Sequence, residues 1–442
     1  MSDTDDLTCQ HKSLRFECSE HSQDVGYKPR TALQRLAATL PSNKAPKKAD
    51  RQRFGSSEDQ YPASTFPAPL VLPEDELSWD PNCEPQSLKS WIEEGHRNEI
   101  TKHRRTIYLV ESPVIATSAA YIKKWASPQL DPKESQHLGS PRTEDVLKYL
   151  EAFYCGLPVK MLTKPKLKYV PWSDSSSTEG SLPSYIGLRT GSEVIGIRHR
   201  PSKDDIFAGQ LNLNDLLDVA ISILPSDAYA LLMLTDHDLY EDEEDDFCCG
   251  RAYGGSRVAV VSTARYNPAL DKAQHVETAH AWPASHCQSY IDSCCDVATK
   301  NVKKKAAVEE SLSALRSAVV ALSPVPARKN SKHESLWLSR LCKTASHELG
   351  HCFGIDHCSY YACIMQGTAG LSEDARQPPY LCPVDLVKVL RATGADPVQR
   401  YRALLVFCEG SGASEKMFDA FAAWLRVRID EVESWRDVIV LE

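Results

Sequence analysis

The chain has 442 residues, of which 42% are hydrophobic and 25% are charged, so it is an ordinary globular sequence long enough to bury a sizeable core. Its formal net charge of −9 at pH 7 gives no reason to expect nucleic acid or an anionic membrane surface as a partner. No apolar run is long enough to span a bilayer, and the N-terminus lacks a signal-peptide core. We therefore expect a cytoplasmic or nuclear protein, whose 15 cysteines serve as thiolates and metal ligands rather than as disulfides.

Residues 1–63 are polar and rich in turn-forming residues, and we expect a disordered arm ahead of a folded domain over residues 64–442. The basic cluster at 44–53 could be a nuclear signal, although a solvated charge cluster is favoured. The arm also holds four potential metal ligands, Cys9, His11, Cys18 and His21. Their spacing matches no zinc finger and no apolar residues surround them, which favours ordinary roles.

Strands and helices alternate from residue 64 to residue 265, which predicts an α/β sheet with covering helices. Short β-branched and apolar runs predict strands at 106–110, 157–162, 193–198, 228–235 and 257–262. Apolar residues at helical spacing predict helices at 146–153 and 213–224. The carboxylate run at 241–246 could form a rim that attracts a positively charged ligand, although a solvated loop is favoured.

A predicted helix carries His347 and His351 four residues apart, one turn above each other on the same face. Two neutral imidazoles in this arrangement can hold one Zn²⁺, and Glu348 can take a proton from water at the metal. Gly354 can leave the helix by a sharp turn because it tolerates positive φ, and His357 would then return as a third ligand. Three protein ligands leave the fourth tetrahedral position open, as in catalytic sites. The length of the pattern argues against a chance arrangement of ordinary histidines.

The residues that follow extend this pattern with Cys358, Cys363, Met365 and a Leu-Cys-Pro run at 381–383. The whole series resembles the archaemetzincins (archaelysins), a branch of the metzincin clan. The likeness includes further blocks at 234–240, 262–266, 341–344 and 366–367. It covers most of residues 100–265 and 333–442.

Residues 267–332 form an insertion relative to the family pattern. They contain four possible metal ligands, His286, Cys287, Cys294 and Cys295. The spacing of these four residues is a weak metal signal, and structural roles are favoured for them.

The resemblance implies a metzincin-like α/β fold, with a twisted mixed sheet, covering helices, an active-site helix and a small helical C-terminal part from about residue 358. Residues 64–442 would then form one catalytic domain. In metzincins the strand that corresponds to 257–262 is an antiparallel edge strand above the cleft, and such an edge can pair with an extended peptide. Met365 falls where this clan places the Met-turn beneath the metal.

The family is also distinguished by a second, structural zinc held by four cysteines. Three of the four positions are matched, by Cys358, Cys363 and Cys382. The fourth position is Asp385, which can bind zinc through oxygen, although less tightly than a fourth thiolate. Another thiol (Cys352 or Cys408) could instead complete the site, or the site could be partly lost.

The resemblance implies a zinc metallopeptidase, often aminopeptidase-like on small or unstructured peptides, with the catalytic zinc on His347, His351 and His357 and with Glu348 as general base. Its partners would be peptide or protein substrates. Nothing in the sequence identifies an anchor for a substrate α-amino group, so exo- and endopeptidase both stay open, as does the oligomeric state. The rival class is a zinc-stabilised peptide-binding module with little or no turnover. Loss of the base or of a ligand would mark that class, and all four residues are intact.

Overall fold

The computed structural model describes residues 11–45, 61–130, 139–172, 184–295, 313–322, 329–410 and 416–440. The strands are β1 (Thr106–Val110), β2 (Val114–Ile115), β3 (Val159–Met161), β4 (Leu167–Pro171), β5 (Tyr185–Thr190), β6 (Glu193–Arg200), β7 (Gln210–Asn212), β8 (Ala228–Thr235), β9 (Asp238–Tyr240), β10 (Gly250–Tyr253) and β11 (Val258–Ser262).

The helices are α1 (His21–Asp24), α2 (Ala32–Ala38), α3 (Glu76–Trp79), α4 (Leu88–Glu93), α5 (Thr143–Phe153), α6 (Leu213–Ser222), α7 (Gln288–Cys294), α8 (Ala314–Ala321), α9 (Lys329–Cys352), α10 (Leu371–Arg376), α11 (Pro383–Thr393), α12 (Pro397–Gly410) and α13 (Lys416–Val440). Short 3₁₀ helices lie at Thr117–Trp125, Gly254–Ser256, Ala264–Tyr266, Pro268–Leu270 and Ala284–His286. None of the helices in the described ranges is long and apolar enough to cross a membrane.

The strands form two sheets. The first has five strands in the order β10-β11-β8-β1-β3. Its strands β11, β8, β1 and β3 are parallel, whereas β10 runs antiparallel to β11. The second sheet has six strands in the order β2-β4-β5-β6-β7-β9 and mixes both directions. The predicted α/β class, with mixed sheets and covering helices, is confirmed.

Strand β8 lies in the middle of the first sheet and is buried along its whole length, as expected for a parallel strand that is covered on both faces. Leu232 and Leu234 pack in the hydrophobic cluster that also contains residues of α9. Leu231 and Met233 point to the opposite face and pack in the cluster that contains residues of α6. Helix α9 contacts β8, β10 and β11, so this sheet fixes the helix that carries the predicted histidines.

The prediction that residues 257–262 form the edge strand is wrong. In the structure β11 lies between β8 and β10, and the sheet ends at β10 within the described part of the chain. The register pairs Gly250 with Val261 and Tyr253 with Val258. Strand β10 is short and contains no apolar alternation, so no strand pattern marks it in the sequence.

The N-terminal segment differs from the predicted disordered arm, because residues 11–45 are folded onto the rest of the chain. Leu14 forms a β-bridge with Cys287. The Tyr27 hydroxyl donates a hydrogen bond to the carbonyl oxygen of Ser359 at 2.6 Å. Helix α2 begins with a capping box at Thr31 and buries Leu36, Ala37 and Ala38. Burial of these few apolar side chains contributes to holding the segment on the core despite its polar composition. Cys9 and most of the basic cluster (residues 46–53) lie outside the described residues.

Part of the predicted insertion is also packed into the core. Leu315 and Ala318 of α8 are fully buried in the cluster that contains α9, and α8 contacts α13. Helix α9 begins at Lys329, inside the predicted insertion of residues 267–332.

Candidate metal centre and active site

Helix α9 ends in a set of hydrogen bonds that fix its last carbonyl groups. Tyr229 donates to the carbonyl of Cys352 at 3.3 Å, and the indole of Trp91 donates to that of Phe353 at 2.9 Å. The Gln86 amide donates to the carbonyl of Gly354 at 2.9 Å. These donors come from two segments, residues 86–91 and strand β8, and together they satisfy carbonyl groups that a helix end leaves open.

The turn after the helix has the geometry predicted from Gly354. This residue has a φ of 73°, a left-handed conformation in which glycine carries no Cβ penalty. The amide of Ile355 donates to the carbonyl of Gly350 at 3.2 Å. The turn thereby brings the chain back toward the helix, and the carbonyl of Ile355 accepts a hydrogen bond from Nδ1 of His351 at 2.7 Å.

His347 is held in the same way, since its Nδ1 donates to the carbonyl of Ile364 at 2.7 Å. A carbonyl oxygen can only accept, so both imidazoles carry their proton on Nδ1 and point an unprotonated Nε2 at the site. The two Nε2 atoms, of His347 and His351, are 3.0 Å apart. Two lone pairs at this distance repel each other unless a cation lies between them.

His357 completes the group. Its Nδ1 lies 2.8 Å from Oε1 of Glu76 in α3. One nitrogen from each of the three histidines lies within 4.8 Å of the others. Burial, reinforced by neighbouring imidazoles, holds the pKa of His347 well below its ordinary value and lowers that of His351 to about 4. Neutral imidazoles with their other nitrogen hydrogen-bonded are the form that binds zinc, so this donor set fits a zinc ion.

Glu348 lies beside these histidines and is 8% exposed. Burial raises the pKa of its carboxyl to about 7 against the opposing effects of His357 and Arg251. Strand β10 runs beside it: a Cβ on Gly250 would lie 3.4 Å from Cγ of Glu348. The carboxylate is thus placed between the edge strand and the histidines.

Met365 packs against Gly350 of α9, the residue that precedes His351. A Cβ on Gly350 would lie 2.4 Å from the Met365 sulfur, so the absence of a side chain at Gly350 allows this approach. Met365 is fully buried, and its carbonyl accepts a hydrogen bond from the amide of Cys358 at 2.7 Å. This arrangement agrees with the role expected for a Met-turn.

A second group of possible ligands consists of Cys358, Cys363, Cys382 and Asp385, all of which are buried. The Cys358 and Cys382 sulfurs are 3.6 Å apart. Oδ2 of Asp385 lies 3.3 Å from the Cys363 sulfur and 3.4 Å from that of Cys382. The structure therefore brings the three predicted cysteines and Asp385 together, whereas the alternatives Cys352 and Cys408 belong to no such group among the described residues.

Lys388 lies beside this group, one helical turn after Asp385. Its ammonium donates to Oδ1 of Asp385 at 2.8 Å and to two oxygens of Gln86 at 2.7 and 2.9 Å. Gln86 in turn contacts Gly354 and accepts from the amide of Asp356 at 3.3 Å. A buried hydrogen-bond chain therefore joins the cysteine group to the turn that carries His357.

The acidic run at 241–246 mainly stabilises its own loop. Asp242 accepts hydrogen bonds from the amides of Glu244 and Asp245, and Asp245 accepts from those of Glu241 and Asp242. Glu241 pairs with Arg251 of β10 at 2.5 Å. These contacts favour the structural interpretation of the run over a substrate rim.

Comparison with known proteins finds similarity to one family of peptidases. The family model described as "Peptidase family M54" matches residues 300–391, a stretch that contains both groups of possible ligands. Archaemetzincin-2 of Pongo abelii is 25% identical over 417 residues, which cover 89% of this chain and 93% of that protein. The human archaemetzincin-2 is 26% identical, with 85% and 84% covered. These matches support the predicted resemblance to the archaemetzincin family.

Other similarities are weaker. Human archaemetzincin-1 is 26% identical over 231 residues, which cover 51% of this chain and 40% of that protein. Among solved structures, archaemetzincin from Methanopyrus kandleri has a TM-score of 0.31 and 17% identity, covering 66% of this chain and 98% of that one. The family model and the full-length relatives support the predicted class, a zinc-dependent metallopeptidase that hydrolyses peptide bonds. The match of the family model from residue 300 begins inside the predicted insertion.

Proposed function

We propose that this protein hydrolyses peptide bonds at a zinc ion held by His347, His351 and His357, with Glu348 as general base, and that it acts as an aminopeptidase on small or unstructured peptides. The observation that carries the proposal is the convergence of the three imidazoles beside the buried carboxylate of Glu348. Three ligands leave one tetrahedral position open for water or substrate.

A zinc ion bound here would polarise the scissile carbonyl and lower the pKa of a bound water from about 15.7 toward about 7. Glu348 would accept the proton of the attacking water and pass it to the nitrogen of the leaving amine. Nδ1 of His347 and of His351 each donates a hydrogen bond to a backbone carbonyl group. These bonds hold each ring in one orientation and one tautomer, so little reorganisation is needed during turnover.

Strand β10 is the element that could align the substrate. The first sheet ends at this strand in the described residues, and an extended peptide can add to such an edge through backbone hydrogen bonds. A folded protein cannot offer a free extended segment of this kind, which supports small or unstructured peptides as substrates.

The support for aminopeptidase action is a cavity lined by the residues that directly precede Glu76 in the chain. Its volume is about 800 Å³, and its lining includes Glu74, Asp75 and the exposed ring of Trp79. Glu74 and Asp75 directly precede Glu76, which binds His357. Asp75 is buried and paired with Arg376, so the exposed carboxylate of Glu74 is the one that would attract the α-ammonium group of a peptide by charge.

The test compares two fluorogenic peptides of the same sequence, one with a free and one with an acetylated N-terminus. We expect hydrolysis of the free peptide to be at least tenfold faster, to stop on zinc chelation and to return when zinc is added back. Equal or faster hydrolysis of the acetylated peptide would show an endopeptidase. Peptide binding without any turnover by the zinc-loaded protein would contradict the enzyme and favour the binding module.

We also propose that Cys358, Cys363, Cys382 and Asp385 hold a second, structural zinc. The four donors are buried and close enough to share one ion, and closed sites of four protein ligands are typical of structural zinc. Lys388 would hold the second oxygen of Asp385, so that the carboxylate offers Oδ2 to the metal.

A further inference from the structure

A third group of possible metal ligands lies away from both sites described above. It consists of His11 from the N-terminal segment and His280 and Cys287 from the insertion. One donor atom from each residue lies within 4.8 Å of the others. The sequence separates His11 from the other two by more than 260 residues, and its spacing pattern gives no hint of the group.

The backbone holds the two segments together beside this group. The amide of Arg15 donates to the carbonyl of His286 at 2.8 Å, and the amide of Gln288 donates to that of Ser13 at 2.9 Å. Leu14 and Cys287 therefore form a bridge. On the other side, Arg316 of α8 donates to the carbonyl of His11 at 3.1 Å.

The side chains are also oriented by neighbours of the kind that metal ligands have. Nδ1 of His280 lies 3.4 Å from Oε1 of Glu277, and the imidazole stacks on Tyr290 with ring centroids 4.1 Å apart. A carboxylate on one ring nitrogen is a usual partner of an imidazole that binds metal through the other. The Ser289 hydroxyl lies 3.2 Å from the buried Cys287 sulfur, where it can donate to a thiolate.

We propose that His11, His280 and Cys287 bind a zinc ion that fastens the N-terminal segment to the insertion. Two imidazoles and one thiolate suit zinc and exclude calcium and magnesium, which prefer oxygen ligands. Three protein ligands leave the fourth tetrahedral position to water, as in catalytic sites. The Glu277 carboxylate beside His280 is engaged by His280 and by the amides of Ala279 and His280, so we assign the site a structural role. A zinc ion bound by both segments would add to the few apolar contacts that hold the polar N-terminal segment on the core.

The experiment measures zinc per chain in the full-length protein after dialysis against a weak chelator. His11→Ala, His280→Ala and Cys287→Ser are each compared with wild type. Cys295→Ser is the matched control, because this cysteine lies in the same insertion and outside the group. We expect each of the three variants to hold one zinc fewer than wild type and the control to hold the same number.

The zinc measurement tests the third site independently of the other two sites and of the folding of any one variant. The difference of one zinc does not depend on the occupancy of the other two sites, so it does not depend on the proposed peptidase activity. If Cys287→Ser fails to fold, His11→Ala decides the question, because His11 is only half-buried and near the start of the described chain. A zinc content in folded His11→Ala and His280→Ala equal to that of wild type overturns the proposal.

Discussion

Nδ1 of His357 and Oε1 of Glu76 are 2.8 Å apart, although 281 residues separate them in the chain. The third histidine of the proposed catalytic site is therefore oriented by a carboxylate from a different part of the chain, unlike the first two, which use nearby carbonyl groups. Glu76 itself is placed by its own amide, which donates to Glu373 at 2.9 Å. The region before residue 100 thus contributes to the site even though its sequence lies outside the recognised family blocks.

The first prediction concerns Glu76 as a positioning residue. Glu76→Ala removes the partner of His357, so we expect zinc affinity to fall by about 10- to 100-fold, the usual cost of losing such a partner. Activity at limiting zinc should fall by the same factor and recover in excess zinc. Competition with a chromogenic chelator measures the affinity. Glu74→Gln is the control for zinc affinity only, since Glu74 is exposed in the same segment and is proposed to act on the substrate rather than on the metal. Unchanged zinc affinity in Glu76→Ala would contradict the role.

The second prediction concerns Gly350 and Met365. Gly350→Ala places a Cβ 2.4 Å from the Met365 sulfur, so we expect a loss of unfolding free energy of about 1–3 kcal/mol from overpacking. The double variant Gly350→Ala/Met365→Ala should be less destabilised than the sum of the two single variants, because the shorter side chain removes the clash. Denaturant unfolding of all four proteins measures this coupling. Strict additivity would show that the two residues do not interact.

Some features of the site follow from local sequence, and these are the ones that could be predicted. The four-residue spacing of His347 and His351 sets their common helix face, and the conformational freedom of Gly354 sets the turn. The strand runs at 106–110 and 228–235 are predicted within their observed bounds because buried parallel strands are continuously apolar.

The rest depends on contacts between distant segments, which no local pattern encodes. Glu76 meets His357, and Leu14 pairs with Cys287, only because the fold brings their segments together. Strand β10 is defined by its partner β11 rather than by its own side chains. Residues 11–45 have the composition of a disordered segment, and it is their contacts with the core that hold them in place.

The third prediction concerns Asp385 in the proposed structural zinc site. Asp385→Ala removes a ligand and leaves the ammonium of Lys388 buried without its carboxylate. We expect loss of one zinc and of about 3–5 kcal/mol of unfolding free energy. Asp385→Cys should hold zinc more tightly than wild type. Metal analysis and denaturant unfolding after mild chelation measure both effects. Equal zinc and equal stability in wild type and Asp385→Ala would show that Asp385 is not a ligand.

The fourth prediction concerns the buried imidazole of His237, which packs edge-on against Tyr169. Burial lowers its pKa to about 4, whereas an unfolded histidine has a pKa of about 6.5. Below pH 6.5 the unfolded state takes up a proton that the folded state does not, so stability falls as the pH is lowered from 6.5 to 4. The loss should be about 3 kcal/mol. His237→Phe keeps a ring of similar size and should flatten this part of the curve. Identical pH dependence in both proteins would contradict the buried neutral imidazole.

The most direct test of the central claim is the rate of peptide hydrolysis by Glu348→Gln with its zinc content measured in the same sample. The substitution keeps the size of the side chain and removes its basicity, while the three histidines and their hydrogen-bond partners are untouched. We expect zinc per chain to equal that of wild type and turnover to fall by about 100-fold or more. Turnover equal to wild type at equal zinc would contradict the assignment of Glu348 as the base and with it the proposed mechanism.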